Sequence, residues 1–429
     1  MLIDRRRFAG LVAGLVGGAA LPRLRRPVAG SPALDPCDLP SPIRALTPMT
    51  DGVVPIGDDE RRARLDKAQR LMVEQGMGAL LIEPGTSMEY FTGVHWSRSE
   101  RPFLAVLPAK GELSWVCPGF EEARARQLIR FGHDVRVWQE DESPYRLVAG
   151  ILRDQGVATG RVGVEERLRF FIVEGVHGEA PGLDLGDAVP VTAGCRMFKS
   201  ASELALMQRA SDITIAALKA TLPTMRPGMT QHDLGGLQTA AMVRLGGRDP
   251  WALVGFGEAS AYPHGSNVPQ HLKEGDIVLV DSGCALEGYQ SDITRTTVFG
   301  KPTARQTEIW NLERRAQDAG FAAAQVGATC ESVDAAARKV LTDAGFGPGY
   351  KVPGLPHRTG HGIGMDGHEW TYFVKGNTTR IQPGMCFSDE PTIAIYGEFG
   401  IRLEDCIYIT EDGPRFFTAQ SPAIDQPFG

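Results

Sequence analysis

Residues 275–296 read GDIVLVDSGCALEGYQSDITRT, and the fold turns on them. Gly275 to Gly283 is a β-strand signal carrying an acid, Asp281, near its end. Ser291-Asp292-Ile293 opens a second strand. Glu287-Gly288 lies between them and suits a tight hairpin turn. Folding there is expected to set positions 281 and 292 opposite each other. Two carboxylates directly across an antiparallel pair repel, and a cation is the simplest compensation. Val278, Val280 and Ile293 point to a buried sheet rather than a solvated hairpin.

Two more clusters follow in the chain. The first is HRTGHGIGMDGHE at 357–369, with His357, His361 and His368 inside twelve residues. Gly360, Gly362 and Gly364 surround His361 and are expected to let the backbone approach a ligand closely. The second is QPGMCFSDEP at 382–391, followed by Arg402-Leu403-Glu404-Asp405. Strand-like residues and a turn near Tyr396-Gly397 separate the halves, so Glu390 and Glu404 are expected to meet across adjacent strands. Asp281, Asp292, His361, Glu390 and Glu404 together make four carboxylates and one imidazole. That donor set suits Mn(II), Co(II), Fe(II) or Zn(II). Four negative charges balance two dications and leave room for a bridging hydroxide, whereas one metal leaves the site over-charged.

Working outward, residues 59–198 alternate helix and strand and predict an α/β layered domain. A hairpin turns there at Lys110-Gly111. No glycine-rich phosphate loop occurs in it, so no nucleotide site is expected. Ser200 with Glu203 is a capping box and opens a new pattern, with the boundary near residue 198. A faint repeat follows. Arg226 to Thr230 opens a helix ending near Gly246, and Val326 to Thr329 opens one ending near Gly345. Longer helices precede each, at 200–222 and 303–325.

The N-terminus reads as an address. Arg5-Arg6-Arg7-Phe8 precedes a short apolar Gly/Ala-rich stretch and then Pro22, the layout of a twin-arginine export signal over residues 1–30. Residues 31–58 are expected to be a flexible leader or linker. The body of the chain has no run of about 18 apolar residues, so no membrane span is expected after signal removal. The chain has 429 residues, a net charge of −7 and 23% charged residues. That length suits two or three domains, and the charge argues against a nucleic-acid partner. Seven cysteines are scattered, without paired spacing. They do not form a disulfide framework, although a Cys386–Cys406 bridge is conceivable.

The ordered set closes on a resemblance. Asp281, then Asp292 eleven residues on, His361 in Gly-His-Gly, Glu390 before a proline, and Arg402-x-Glu404-Asp405 resemble the pita-bread metallopeptidases. That family includes methionine aminopeptidase, prolidase and aminopeptidase P. The match covers about 200–415, and the preceding domain resembles the creatinase-type N-terminal domain of the prolidase and aminopeptidase P branch. The resemblance implies an α/β N-terminal domain at 59–198 and an α+β pita-bread catalytic domain at 199–418. It implies two divalent metal ions, with Mn(II) first and Co(II) or Zn(II) as alternatives, and a homodimer. Asp281 would chelate one metal, Asp292 and Glu404 would bridge both, and His361 and Glu390 would complete the other. Glu390 would also shuttle the proton. His264, His357 and His368 match active-site histidines of the proline-specific branch, and Arg402 matches its supporting arginine. The implied substrate is a peptide with proline at the second position, cleaved as a dipeptide or as a longer peptide. Hydrolysis of a non-proline amide, or a silent peptide-binding member, are the competing readings.

The chain departs from the family pattern in two places. Asp281-Ser-Gly-Cys284 stands where Asp-x-Gly-Ala is common, and Glu390-Pro-Thr392 where Glu-Pro-Gly is common. Tyr262, Tyr372 and Phe373 are candidates for a proline-ring pocket, Lys375 for a substrate carboxylate. The loop from His95 to Pro102 is a candidate for reaching a partner subunit's site.

Overall fold

A computed structural model describes residues 38–428. The expected signal at 1–30 lies outside the described residues. The first part of the chain body forms a six-stranded mixed sheet. Its order is Val135–Trp138, Ser114–Pro118, Leu104–Pro108, Met77–Ile82, Gly160–Val164, Leu183–Asp187. The hairpin centred on Lys110 appears as expected, with Ala105 opposite Trp115. Both faces of the sheet are covered. Helix Asp58–Glu74 packs on one side through Leu65, Ala68 and Met72, and Pro144–Asp154 and Phe170–Glu179 on the other through Val148, Ile151, Ile172 and Val176.

Of the leader expected at 31–58, residues 31–37 lie outside the described residues, and from residue 38 the chain is a packed segment instead. Ser41–Arg44 forms a single helical turn whose Ile43 is fully buried beside Leu39, Ile213, Leu218 and Met242. Burying one isoleucine contributes about 2 kcal/mol. Arg244 adds a hydrogen bond to the Arg44 carbonyl. The Pro- and Gly-rich composition describes a chain without regular structure here, not a chain without contacts.

Beyond residue 199 the helix pairs appear as the repeat suggested. Ala201–Thr221 precedes Gln231–Leu245, and Ala304–Ala323 precedes Cys330–Asp343. Capping boxes start three of the four. Ser200 with Glu203, Thr230 with Asp233 and Thr303 with Gln306 each satisfy two otherwise orphaned N–H groups. Each pair is followed by antiparallel strands. The first sheet runs Arg248–Phe256, Ile277–Leu286, Ile293–Val298, and the second runs Glu369–Phe373, Gly360–Gly362, Cys386–Asp389, Asp405–Thr410, Gly413–Phe416. A lone bridge between Thr294 and Glu404 joins the two sheets. The candidate ligands lie around that seam.

The two domains share a buried ionic clamp. Arg196 ends the last helix of the N-terminal domain, Val189–Arg196. It donates to Asp366 at 2.7 Å and Glu369 at 2.5 Å. Lys199 donates to the other Glu369 oxygen at 3.1 Å. Thr86 and Arg167 also donate to Asp366, at 2.7 and 2.9 Å. Among the described residues no helix is long and apolar enough to cross a membrane.

Candidate active site

The hairpin through Glu287 and Gly288 closes as a two-residue turn, with φ of 48° and 84°. Those positive values mark the primed turn that suits right-handed strand twist. Its register differs from expectation by two residues. Asp281 lies opposite Thr294, not opposite Asp292. The turn centre falls between 287 and 288, so 281 pairs with 294. The same register sets Asp292 opposite Gly283, on the same face as Asp281, so Asp292 still reaches Asp281 diagonally; the Ser291 carbonyl fills the space a side chain at 283 would need.

The other pair of acids sits where the sequence placed it. Asp389 opposes Asp405 at the end of one ladder, and Thr392 opposes Arg402 at the start of another. Both belong to one continuous register that puts Glu390 level with Glu404. There the strands part. The Glu390 N–H turns to the Thr359 carbonyl at 2.9 Å, and the Glu404 N–H to the Thr294 carbonyl at 3.3 Å.

These pieces converge. Asp281, Asp292 and Glu404 present oxygens within 4.8 Å of one another, and so do the donors of His361, Glu390 and Glu404. Asp292, His361 and His368 form a third such trio. The Nδ1 of His361 is 3.1 Å from the Gly362 carbonyl and must donate to it. In the neutral ring, Nε2 is then a lone pair. It faces Glu390 Oε1 at 3.2 Å and Asp292 Oδ2 at 3.6 Å. Nε2 thus faces two carboxyl groups in a buried place, and among the described residues Asp281 Oδ1 has no hydrogen-bond partner. That pattern fits divalent cations and is costly without them.

The electrostatics say the same. Burial raises the pKa of Asp281, and raises those of Asp292 and Glu404 well above the carboxylate range, with the neighbouring acids adding to it. Glu390 differs. Despite burial it is held down to about 2 by the neighbouring His361, His357 and Arg402. Among the described residues, Arg402 is the one arginine or lysine placed among these acids. It pairs with Asp281 and donates at 3.0 Å to both Thr294 Oγ1 and the Pro263 carbonyl.

The remaining expected residues fall as follows. His368 is exposed but stacks on His361 with ring centres 3.8 Å apart. Partial burial, then the charges of His361, Arg358 and His264, push its pKa down to about 4. His264 is exposed and near enough to contribute to that shift. His357 is half-buried and bonds Thr392 Oγ1 at 3.0 Å. Phe373 is not a pocket residue, because it is fully buried and stacks on Phe387. Tyr262 is exposed and leans on Tyr396, next to the Pro263 that Arg402 holds. Cys386 and Cys406 are both free and buried.

The glycines around His361 have a different use from the one expected. A Cβ at Gly360 would strike the Ser388 carbonyl, and at Gly362 the Trp370 carbonyl. They let neighbouring strands close on the histidine, rather than opening space for a ligand.

Two supporting residues carried no separate signal. Thr294 donates to Glu404 Oε2 at 2.6 Å while accepting from Arg402. Ser388 donates to Glu390 Oε1 at 3.2 Å and accepts from the His361 N–H at 2.9 Å. Each stands two residues from a candidate ligand on a strand, hence on the same face. That spacing is how they are found.

The comparisons with known proteins agree with this geometry. Residues 205–411 match the model of metallopeptidase family M24, and residues 64–198 match the creatinase/prolidase N-terminal domain. A probable dipeptidase PepE of Mycobacterium tuberculosis is 37% identical over 355 residues, covering 82% of this chain and 92% of that protein. This chain belongs to metallopeptidase family M24. An Xaa-Pro dipeptidase of Lactobacillus delbrueckii is a further relative, 32% identical with 84% of this chain and 98% of that one covered. The crystal structure of dipeptidase PepE from Mycobacterium ulcerans superposes with a TM-score of 0.78 at 32% identity, covering 85% of this chain and 97% of that one. The M24 architecture, a creatinase-type domain followed by a pita-bread domain, is thus that of the whole described chain.

Proposed function

We propose that this chain is a dinuclear metal-dependent hydrolase of Xaa-Pro bonds, exported by its N-terminal signal and active as a homodimer. One observation carries the metal part. Two donor trios share Glu404, and Nε2 of His361 faces Glu390 at 3.2 Å and Asp292 at 3.6 Å. Asp281, Asp292 and Glu404 would hold one ion, and His361, Glu390 and Glu404 the other, with Asp292 near enough to span both. Mn(II) is favoured by the oxygen-rich donor set. Bound there, two such ions polarise a scissile carbonyl and lower the pKa of a shared water.

The residues of the chain do the rest. Glu390, fixed by Ser388, receives the proton lost by the attacking water and delivers it to the leaving nitrogen. Arg402 and Thr294 keep Asp281 and Glu404 from turning away. His368 packs against His361 and holds its plane. Proline preference is argued from the relative named an Xaa-Pro dipeptidase. A second reading, cleavage of non-proline dipeptides, is favoured by the relative named only a probable dipeptidase.

The test uses metal-stripped protein with and without Mn(II) on Ala-Pro, Ala-Pro-Ala and Ala-Ala. Metal-dependent cleavage of Ala-Pro alone is the expected result. Cleavage of Ala-Pro-Ala after its first residue makes it an aminopeptidase, and cleavage of Ala-Ala alone overturns proline preference. Export is tested by Arg5→Lys with Arg6→Lys, which should leave precursor in the cytosol. Gel filtration with light scattering tests the dimer.

A further inference from the structure

Thr392 is where this chain leaves the common Glu-Pro-Gly pattern, and the structure gives the threonine a partner. Its side chain lies within the candidate site. It follows Glu390 by two residues, and it opposes Arg402 two positions beyond the level of Glu390 and Glu404. It is 2% exposed. Its Oγ1 is 3.0 Å from Nε2 of His357. The other ring nitrogen, Nδ1, is 2.7 Å from the Arg358 carbonyl oxygen. A carbonyl only accepts, so Nδ1 carries the hydrogen. In the neutral ring Nε2 is then an acceptor, and the hydroxyl donates to it. Burial favours that neutral ring.

We propose that Thr392 is a positioning residue for His357: its hydroxyl caps Nε2, so both ring nitrogens are engaged by the protein and His357 offers no N–H to the substrate. A glycine at 392 has no hydroxyl and leaves Nε2 open toward the site. The resemblance implied that His357 is one of the active-site histidines, free to hydrogen-bond substrate. In this chain that contact requires Thr392 to let go first. The inference rests on the hydrolase reading only for its kinetic arm.

The experiment is nitrogen NMR on the full-length, Mn-free, Zn-loaded protein labelled with [15N]histidine, with His357 assigned by its disappearance in His357→Gln. In the wild type, Nδ1 should carry the proton and Nε2 should resonate as a hydrogen-bonded acceptor. Thr392→Val, similar in shape, should move Nε2 to the unbonded position, and Thr392→Ser should restore it. Thr392→Ala gives the same readout should the valine variant fold poorly. Kinetically, Thr392→Val should change kcat/KM for Ala-Pro about five- to tenfold, in line with one hydrogen bond, with serine recovering it. A proton on Nε2 in the wild type, or an Nε2 signal indifferent to Thr392→Val, overturns the proposal. Failure of the wild type to cleave Ala-Pro overturns the Xaa-Pro reading instead, and the NMR result still decides the role of Thr392.

Discussion

Two buried clusters of acids in this chain are built on opposite principles. In the interdomain clamp, Asp366 and Glu369 meet Arg196, Lys199, Arg167 and Thr86, and every carboxylate oxygen has a donor. Glu369 is buried, yet Lys199 and Arg196 hold its pKa down to about 2. Around Glu404, four acids share one arginine, and burial and mutual repulsion drive the pKa values of Asp292 and Glu404 upward. The first cluster is complete as a protein. The second is complete only with cations. A paired buried charge serves structure, while an under-paired one marks a place for a ligand.

Breaking the second cluster should cost function first, and stability only through the metal that is lost. Asp292→Asn should lower turnover at least a thousandfold and reduce the bound metal measured by mass spectrometry. Stripping the metals from the wild type should abolish hydrolysis and lower the melting temperature at pH 7, and adding Mn(II) should restore both. A stripped protein as stable as the loaded one would remove the contrast between the clusters.

Breaking the clamp should do the reverse. Glu369→Gln leaves Lys199 and Arg196 short of a buried partner and should cost about 3–5 kcal/mol in denaturant unfolding, with metal content retained. The pH dependence has a definite sign. The folded pKa of Glu369 is depressed from 4.5 to about 2, so its contribution is fully present above pH 4.5. It is lost as pH falls from there toward 2, and amounts to roughly 3 kcal/mol. Glu369→Gln should flatten the acid limb of stability over that window. The smallest effect is expected at Glu313. Both its oxygens are buried without partners, and burial beside Asp389 raises its pKa well above the usual range. Burial thus favours its neutral acid form, which glutamine resembles in charge and shape, and Glu313→Gln should change stability by less than about 1 kcal/mol.

The same contrast explains what could be read in advance. The acids around Glu404 are set by local rules. Strand alternation and two short turns carry them, so the match of Glu390 with Glu404 followed from counting inward from Tyr396-Gly397. The one slip, Asp281 against Asp292, came from the count about the turn: Asp281 stands six residues before Glu287 and Asp292 only four after Gly288, so the register centred there sets Asp281 against Thr294. Arg196 and Lys199 carried no such signal. Their partners lie about 170 residues away, and no local period links them. The packing of Ile43 was hidden for a similar reason, because its neighbours come from helices far along the chain.

The clamp also limits how the chain can be divided. Asp366 and Glu369 flank His368 within the catalytic domain, yet Arg196, Arg167 and Thr86, which satisfy them, belong to the other one. A fragment cut at residue 199 would carry away the buried Glu369 and the half-buried Asp366 with only Lys199 to answer them. The domain boundary drawn from sequence is therefore not a line along which the protein separates. Evolution could not shuffle this catalytic half onto a different N-terminal partner without also transplanting, or dispensing with, the arginines that complete it.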